Sequence, residues 1–206
     1  MKFALLFLLA AVVLWAYIFI FGSINGIGYD ILSEIPLIDE FIKNMREEHR
    51  IEQAQLEEEQ RISDKKYIQD IKIKVHQLVN EERRDYGLRH LSWNEKLAQA
   101  ALNHSTDMAS RGYYAHDSPE GHDFSWRYSQ IGFSCSVVRG NMIYGGAENL
   151  MFLEGHYGVD NIATVTVDGW MDSPGHRKNM LNPDWRSEGI GVSMSGNKIY
   201  ITQNFC

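Results

Sequence analysis

The 206-residue chain is 44% hydrophobic and 12% aromatic, enough apolar material for one real core plus an appendage. Its formal net charge is −7, and a nucleic-acid binder would instead need a basic face to displace counterions from phosphates. The acidity is uneven: residues 67–206 carry 13 Lys/Arg against 16 Asp/Glu, a net of −3, so most of the excess lies further upstream.

The amino-terminal segment comes first. From Phe3 to Phe21, 19 consecutive residues carry no charge. As a helix they reach about 28 Å, close to the hydrocarbon thickness of a bilayer. Only a helix satisfies its own backbone there, so the run predicts one transmembrane helix, with residues 1–28 as anchor and flexible exit. A cleaved signal peptide is the competing reading. The run exceeds the usual ~7–15 residue apolar region of such peptides, and no small-residue cleavage site follows it. Lys2 is the only basic residue before the run, and the next is Lys43. The positive-inside tendency therefore places the rest of the chain across the membrane, as a single-pass protein with an extracytoplasmic carboxyl-terminal domain. Cleavage would make it secreted.

Residues 29–66 form a charged connector. Pro36 interrupts its start, and from Asp39 to Lys66 there is no Gly or Pro. Pairs such as Glu57 and Arg61 recur at helical spacing. Phe41, Ile42, Met45, Ile51, Leu56 and Ile62 are too sparse to bury one face, so a solvated helical spacer is expected. A coiled-coil stalk would need a sustained heptad, and none persists.

The domain, residues 67–206, opens with Tyr67, Ile68, Ile71, Val75, Leu78 and Val79 at helical spacing, ending near Gly87. Ser92 and Glu95 make a capping-box pattern that opens a second helix. Its inner face is Trp93, Leu97, Ala101, His104 and Met108, and Gly112 ends it. A shorter helix is expected over Phe124 to Ile131, a strand over 147–152 and a helix from Ile162 to Met171. Pro174 and Gly175 punctuate the end of that helix. The tail alternates as two strands around Gly196-Asn197, a hairpin signal. Helices followed by a few antiparallel strands predict an α+β layered domain. Cys135 and Cys206 are the only cysteines, an even count able to pair in an oxidising compartment; two unpaired thiols are the alternative.

Eight segments in this order resemble the CAP superfamily (cysteine-rich secretory, antigen 5 and pathogenesis-related 1 proteins; the SCP domain) in its prokaryotic form. They are Asn80–Arg83, Leu91–Ala98, His104–Met108, Tyr113–His116, Gly146–Leu150, Trp170–Arg177, Gly189–Val192 and Thr202–Phe205. The resemblance implies an α–β–α sandwich with a central antiparallel sheet and an envelope-facing or secreted location. It also implies a cleft. Many members gather two His and two acidic residues, and the His pair can bind a divalent metal such as zinc.

The match carries His116, Glu148 and His176. The fourth position, three after Trp170, falls on Ser173, with Asp172 beside it. A one-residue shift on a helix turns a side chain by about 100°, so Asp172 is no ready substitute. Two imidazoles and a water leave an open position on zinc, and a carboxylate can orient a ligating His or take a proton from that water. With only two protein ligands, such binding is weak. A polar hydrogen-bonded cleft without metal is the alternative, in which Glu148 and Asn149 hold backbone at a strand edge.

Other histidines and tryptophans have plainer readings. His104 is expected to be buried and structural, His122 and His156 to lie on surface loops, and Trp126, Trp170 and Trp185 to be core. Two function classes follow. One is a displayed binding module for an envelope component, lipid or protein partner, since some family members bind sterols or fatty ligands. The other is a metal-dependent hydrolase with Glu148 as the candidate catalytic residue, acting on peptide or envelope substrates. The missing carboxylate and the absence of a G-x-S-x-G nucleophile elbow favour binding.

Overall fold

The structure is a computed structural model that describes residues 36–206 apart from His156. The expected anchor and its exit, and the expected loop position of His156, lie outside the described residues. Among the described residues no helix is long and apolar enough to cross a membrane.

Helix α1 spans Pro36–Asp85, and Pro36 starts it instead of breaking it. Proline suits a first helical position, where its missing N–H has no intrahelical partner anyway. The chain divides into two compact units, Met1–Arg61 and Ile62–Cys206. In the first, Met45, Ile51 and Leu56 are exposed, and Arg50 and Arg61 hold Glu47 and Glu58 one helical turn away. This is the solvated face that the charge pattern predicts.

The second unit takes its share of α1, then β1 (Ser92–Trp93), α2 (Glu95–Arg111) and α3 (Phe124–Gln130). Next come β2 (Val137–Arg139), β3 (Met142–Tyr144), β4 (Ala147–Glu154), α4 (Val159–Asp172), α5 (Pro174–Met180), β5 (Ser187–Ser195) and β6 (Lys198–Phe205). The main sheet has the order β1-β5-β6-β4, and β2 and β3 form a separate hairpin. β5, β6 and β4 are antiparallel, but β1 joins β5 in parallel, so the sheet is mixed rather than purely antiparallel.

Alternation along the strands assigns the layers. Ile190, Val192, Ile201 and Phe205 face Ile71, Val75 and Val79 of α1 and Ile162, Val167 and Trp170 of α4. The opposite face receives α2. Gly189 and Gly191 let that helix lie directly on β5: an added Cβ would stand 2.0 Å from the Ala98 nitrogen or 2.1 Å from that of Leu102. Ser105 stitches the layers, its hydroxyl hydrogen-bonded to the Gly191 carbonyl and to Thr202 Oγ1. The result is the α–β–α sandwich. Cys135 and Cys206 are disulfide-bonded, 71 residues apart in sequence, which resolves the thiol question in favour of pairing.

Two local expectations are corrected. Ser92 does not cap α2; it enters β1 beside Ser187, its hydroxyl donating to the Arg186 carbonyl. Asn94 is the cap, its Oδ1 accepting from the nitrogens of Lys96 and Leu97. Trp93 consequently leaves the helix and packs edge-on against His76. Pro174 and Gly175 do punctuate the end of α4, which stops at Asp172; they also open α5, a helix absent from the sequence reading, which brings His176 to the sheet. Trp126 is 41% exposed rather than core, stacked on the half-buried His122 with ring centroids 3.7 Å apart. Trp170 and Trp185 are buried as expected.

Candidate functional site at the edge of the sheet

β4 is an edge strand, and the site is built around its first residues. Glu148 points to the α2 side and is 4% exposed. A carboxylate removed from water in this way needs a counter-charge. Arg127 of α3 supplies it, with Nη2 donating to Glu148 Oε2 at 2.7 Å. The same nitrogen donates to the His116 carbonyl at 2.9 Å, and Nη1 donates to the His122 carbonyl at 2.9 Å. One guanidinium therefore gathers the loop after α2 around the acid. Asn204, with its amide nitrogen turned to the carboxylate, lies 3.3 Å from Oε2.

His116 Nδ1 donates to Glu148 Oε1 at 3.0 Å. That bond keeps the proton on Nδ1 and leaves Nε2 as the free lone pair. The bond to Glu148 raises the His116 pKa above its ordinary value, against an opposing effect of burial. His176 enters from the other side of the strand on α5. Its ring centroid is 6.3 Å from that of His116, and burial, then the neighbouring imidazole, lower its pKa. His104 is buried behind the site, and its Nε2 donates to the carbonyl of Ala115, directly before His116. Burial also holds its pKa low.

The second half of the site is held through amides. Asn149 Nδ2 donates to the His176 carbonyl at 3.2 Å and to Gln203 Oε1 at 3.0 Å. Asn179 Nδ2 donates to the Glu148 carbonyl and to Asn149 Oδ1, clamping α5 to the strand.

Residues 76–205 match the family model described as CAP, the cysteine-rich secretory protein family. The chain belongs to the CAP family. It is similar to an uncharacterized protein, YkwD, of Bacillus subtilis (34% identity over 124 residues, 60% of this chain and 42% of the relative). It is also similar to an uncharacterized membrane protein, YlbC, of the same organism (30% over 128 residues, 62% and 32%). The chain thus spans less than half the length of these curated relatives. Among solved structures, an outer surface protein of Borrelia burgdorferi superposes with a TM-score of 0.53 at 18% identity, covering 66% of this chain and 91% of that one. That likeness concerns the fold alone.

Within this CAP domain the structure brings His116, Glu148 and His176 together, as the motifs imply. It does not bring in the remaining two. Asp172, the last residue of α4, is exposed and makes no hydrogen bond or ion pair with the trio; Ser173 caps the junction of α4 and α5. Among the described residues no three His, Cys, Asp or Glu side chains gather to hold a metal ion. Sequence reasoning missed Arg127 and Asn179. Nothing in the segment FSWRYSQ marks its arginine as buried, whereas Asn149 was readable as a residue holding backbone at a strand edge, the role its amide performs.

Proposed function

We propose that the chain is an extracytoplasmic binding module, held to a membrane by the apolar run of residues 3–21, whose cleft takes a divalent cation weakly between His116 and His176. The observation that carries the metal reading is the His116–Glu148 bond, which fixes the tautomer that leaves Nε2 free, with the His176 ring centroid 6.3 Å away. Burial, then the neighbouring imidazole, lower the His176 pKa, which favours the neutral ring that a metal requires. The two rings, with centroids 6.3 Å apart, are the residues that would hold such an ion. The chemistry of this donor set fits such an ion, with two protein ligands and no third among the described residues. A bound divalent ion would supply Lewis acidity at its open positions.

Glu148 serves here as the orienting carboxylate. Its two oxygens already accept from His116 and Arg127 and the side chain is buried, an arrangement that favours binding over hydrolysis. The location is supported by the disulfide, which persists in oxidising compartments, and by the description of one relative as a membrane protein.

The test is calorimetric titration of zinc into the full chain and its His116→Ala and His176→Ala variants. Micromolar or weaker binding, abolished by either change, is expected. Unchanged affinity in both variants overturns the metal reading, and a domain shielded from protease on intact cells overturns the location.

A further inference from the structure

The aromatic side chains beside the cleft are placed for something other than core packing. Trp126, next to the Arg127 that holds the His116 carbonyl, offers one face of its indole to His122 and is 41% exposed. Its position is fixed: Asp123 Oδ1 accepts from the Trp126 nitrogen, and Arg127, the next residue, holds the carbonyls of His122 and His116. Tyr114, two residues before His116, is 48% exposed and backed by Phe152, ring centroids 5.8 Å apart, with Tyr200 behind that. Each pad is an exposed aromatic ring supported from beneath by another ring.

The two pads share a strand. Helix α3 meets β4 at its start, where Tyr128 donates to the Ala147 carbonyl, while Phe152 lies five residues further along. At about 3.4 Å per residue the strand positions that Tyr128 and Tyr114 touch, Ala147 and Phe152, stand roughly 17 Å apart, with Glu148 of the cleft on the strand between them.

We propose that this edge is a glycan-binding surface, and that its ligand is an uncharged oligosaccharide whose rings stack on Trp126 and Tyr114. This rests on reading the cleft as a binding surface but not on its metal. The C–H face of a pyranose is apolar and complements the negative face of an aromatic ring, while its hydroxyl rim suits the polar cleft between the pads.

Three observations select this ligand. The pads are separated by a polar site, where an acyl chain would need continuous apolar surface. The loop between them carries exposed Asp117 and Asp123, which repel an anionic polymer. The free edge of β4 is closed to an added peptide strand, because its carbonyls at Glu148 and Leu150 already accept from Asn179 and Trp170.

The test uses the full chain in a polyoxyethylene detergent that carries no sugar, with EDTA throughout. N-acetylglucosamine hexamer and cellohexaose are titrated by calorimetry, alongside heparin and a valine-rich hexapeptide. At least one neutral hexamer is expected to bind with a Kd of about 0.1–1 mM. Trp126→Ala and Tyr114→Ala should each weaken it tenfold or more, and Trp126→Phe should restore part of the loss. Zinc affinity, measured separately without EDTA, should be unchanged in these variants, so the two readings fail independently. Silence of both neutral oligomers, equal binding by the alanine variants, or a preference for heparin or the peptide each overturns the proposal.

Discussion

Replacing Arg127 with Met tests how the site is held. Arg127 is 7% exposed, and its guanidinium makes three bonds, one to the buried Glu148 carboxylate and one each to the His116 and His122 carbonyls. Methionine fills similar volume without charge. It leaves Glu148 with His116 as its close partner, and stripping the counter-charge from a buried ion pair costs about 3–5 kcal/mol. For a folded unit of this size that corresponds to a fall in Tm of about 10 °C or more. The Coulombic share can be isolated in a double-mutant cycle. In a Glu148→Gln background the buried charge is gone, and Arg127→Met should cost only the two carbonyl bonds, about 2 kcal/mol. A coupling near 2 kcal/mol is therefore expected from chemical denaturation of the four proteins. Additive costs, or a fall in Tm under 3 °C for the single variant, would show that Glu148 does not depend on this arginine.

Two further predictions concern covalent and titrating groups. Reducing the Cys135–Cys206 bridge frees a loop closed across 71 residues, worth about 4 kcal/mol in the chain-entropy model; melting with and without reductant should show a Tm drop of about 10 °C. A shift under 3 °C would mean that the carboxyl-terminal strand is held by its ladder alone. Zinc binding should be proton-linked through His116, whose pKa is raised by its bond to Glu148. A raised pKa means that the protonated ring stabilises the metal-free fold below the unfolded value near 6.5, and that this contribution is lost as pH rises through the folded value. The metal needs Nε2 without its proton, so affinity should fall about tenfold per unit as pH drops below the folded His116 pKa. In Glu148→Gln the onset should move to lower pH, as calorimetry in buffers of different ionisation enthalpy would reveal. An unmoved onset would assign the linked proton to another group.

What was legible in the sequence was what local periodicity controls. The α2 stripe and the β5–β6 hairpin announce themselves because a helix repeats every 3.6 residues and a strand every two. The capping box at Ser92 misled because its local signal was outcompeted by a sheet: Ser92 and Trp93 pair with Ser187 and Glu188, nearly a hundred residues away, and Asn94 takes the cap. Helix α5 was hidden in a segment of seven mostly polar residues, too short to show a stripe. Trp126 reads as core on composition because nothing local reports that its neighbours are a loop histidine and solvent.

The same distinction runs through the site. His116, Glu148 and His176 were found through motifs, but the groups that make them a site act over distance. Arg127 lies 21 residues from its acid, and Asn179 reaches back 31 residues to the Glu148 carbonyl. A buried carboxylate can be tolerated only where a cation is delivered to it, and that delivery is a property of how α3 meets β4. Arg127 simultaneously fixes the His116 carbonyl and, through its neighbour Trp126, one of the exposed rings. Arginine is suited to this because its planar fork donates in several directions at once, and lysine at 127 could not hold both carbonyls and the acid. The ion pair is thus what positions both the imidazole cleft and the surface beside it.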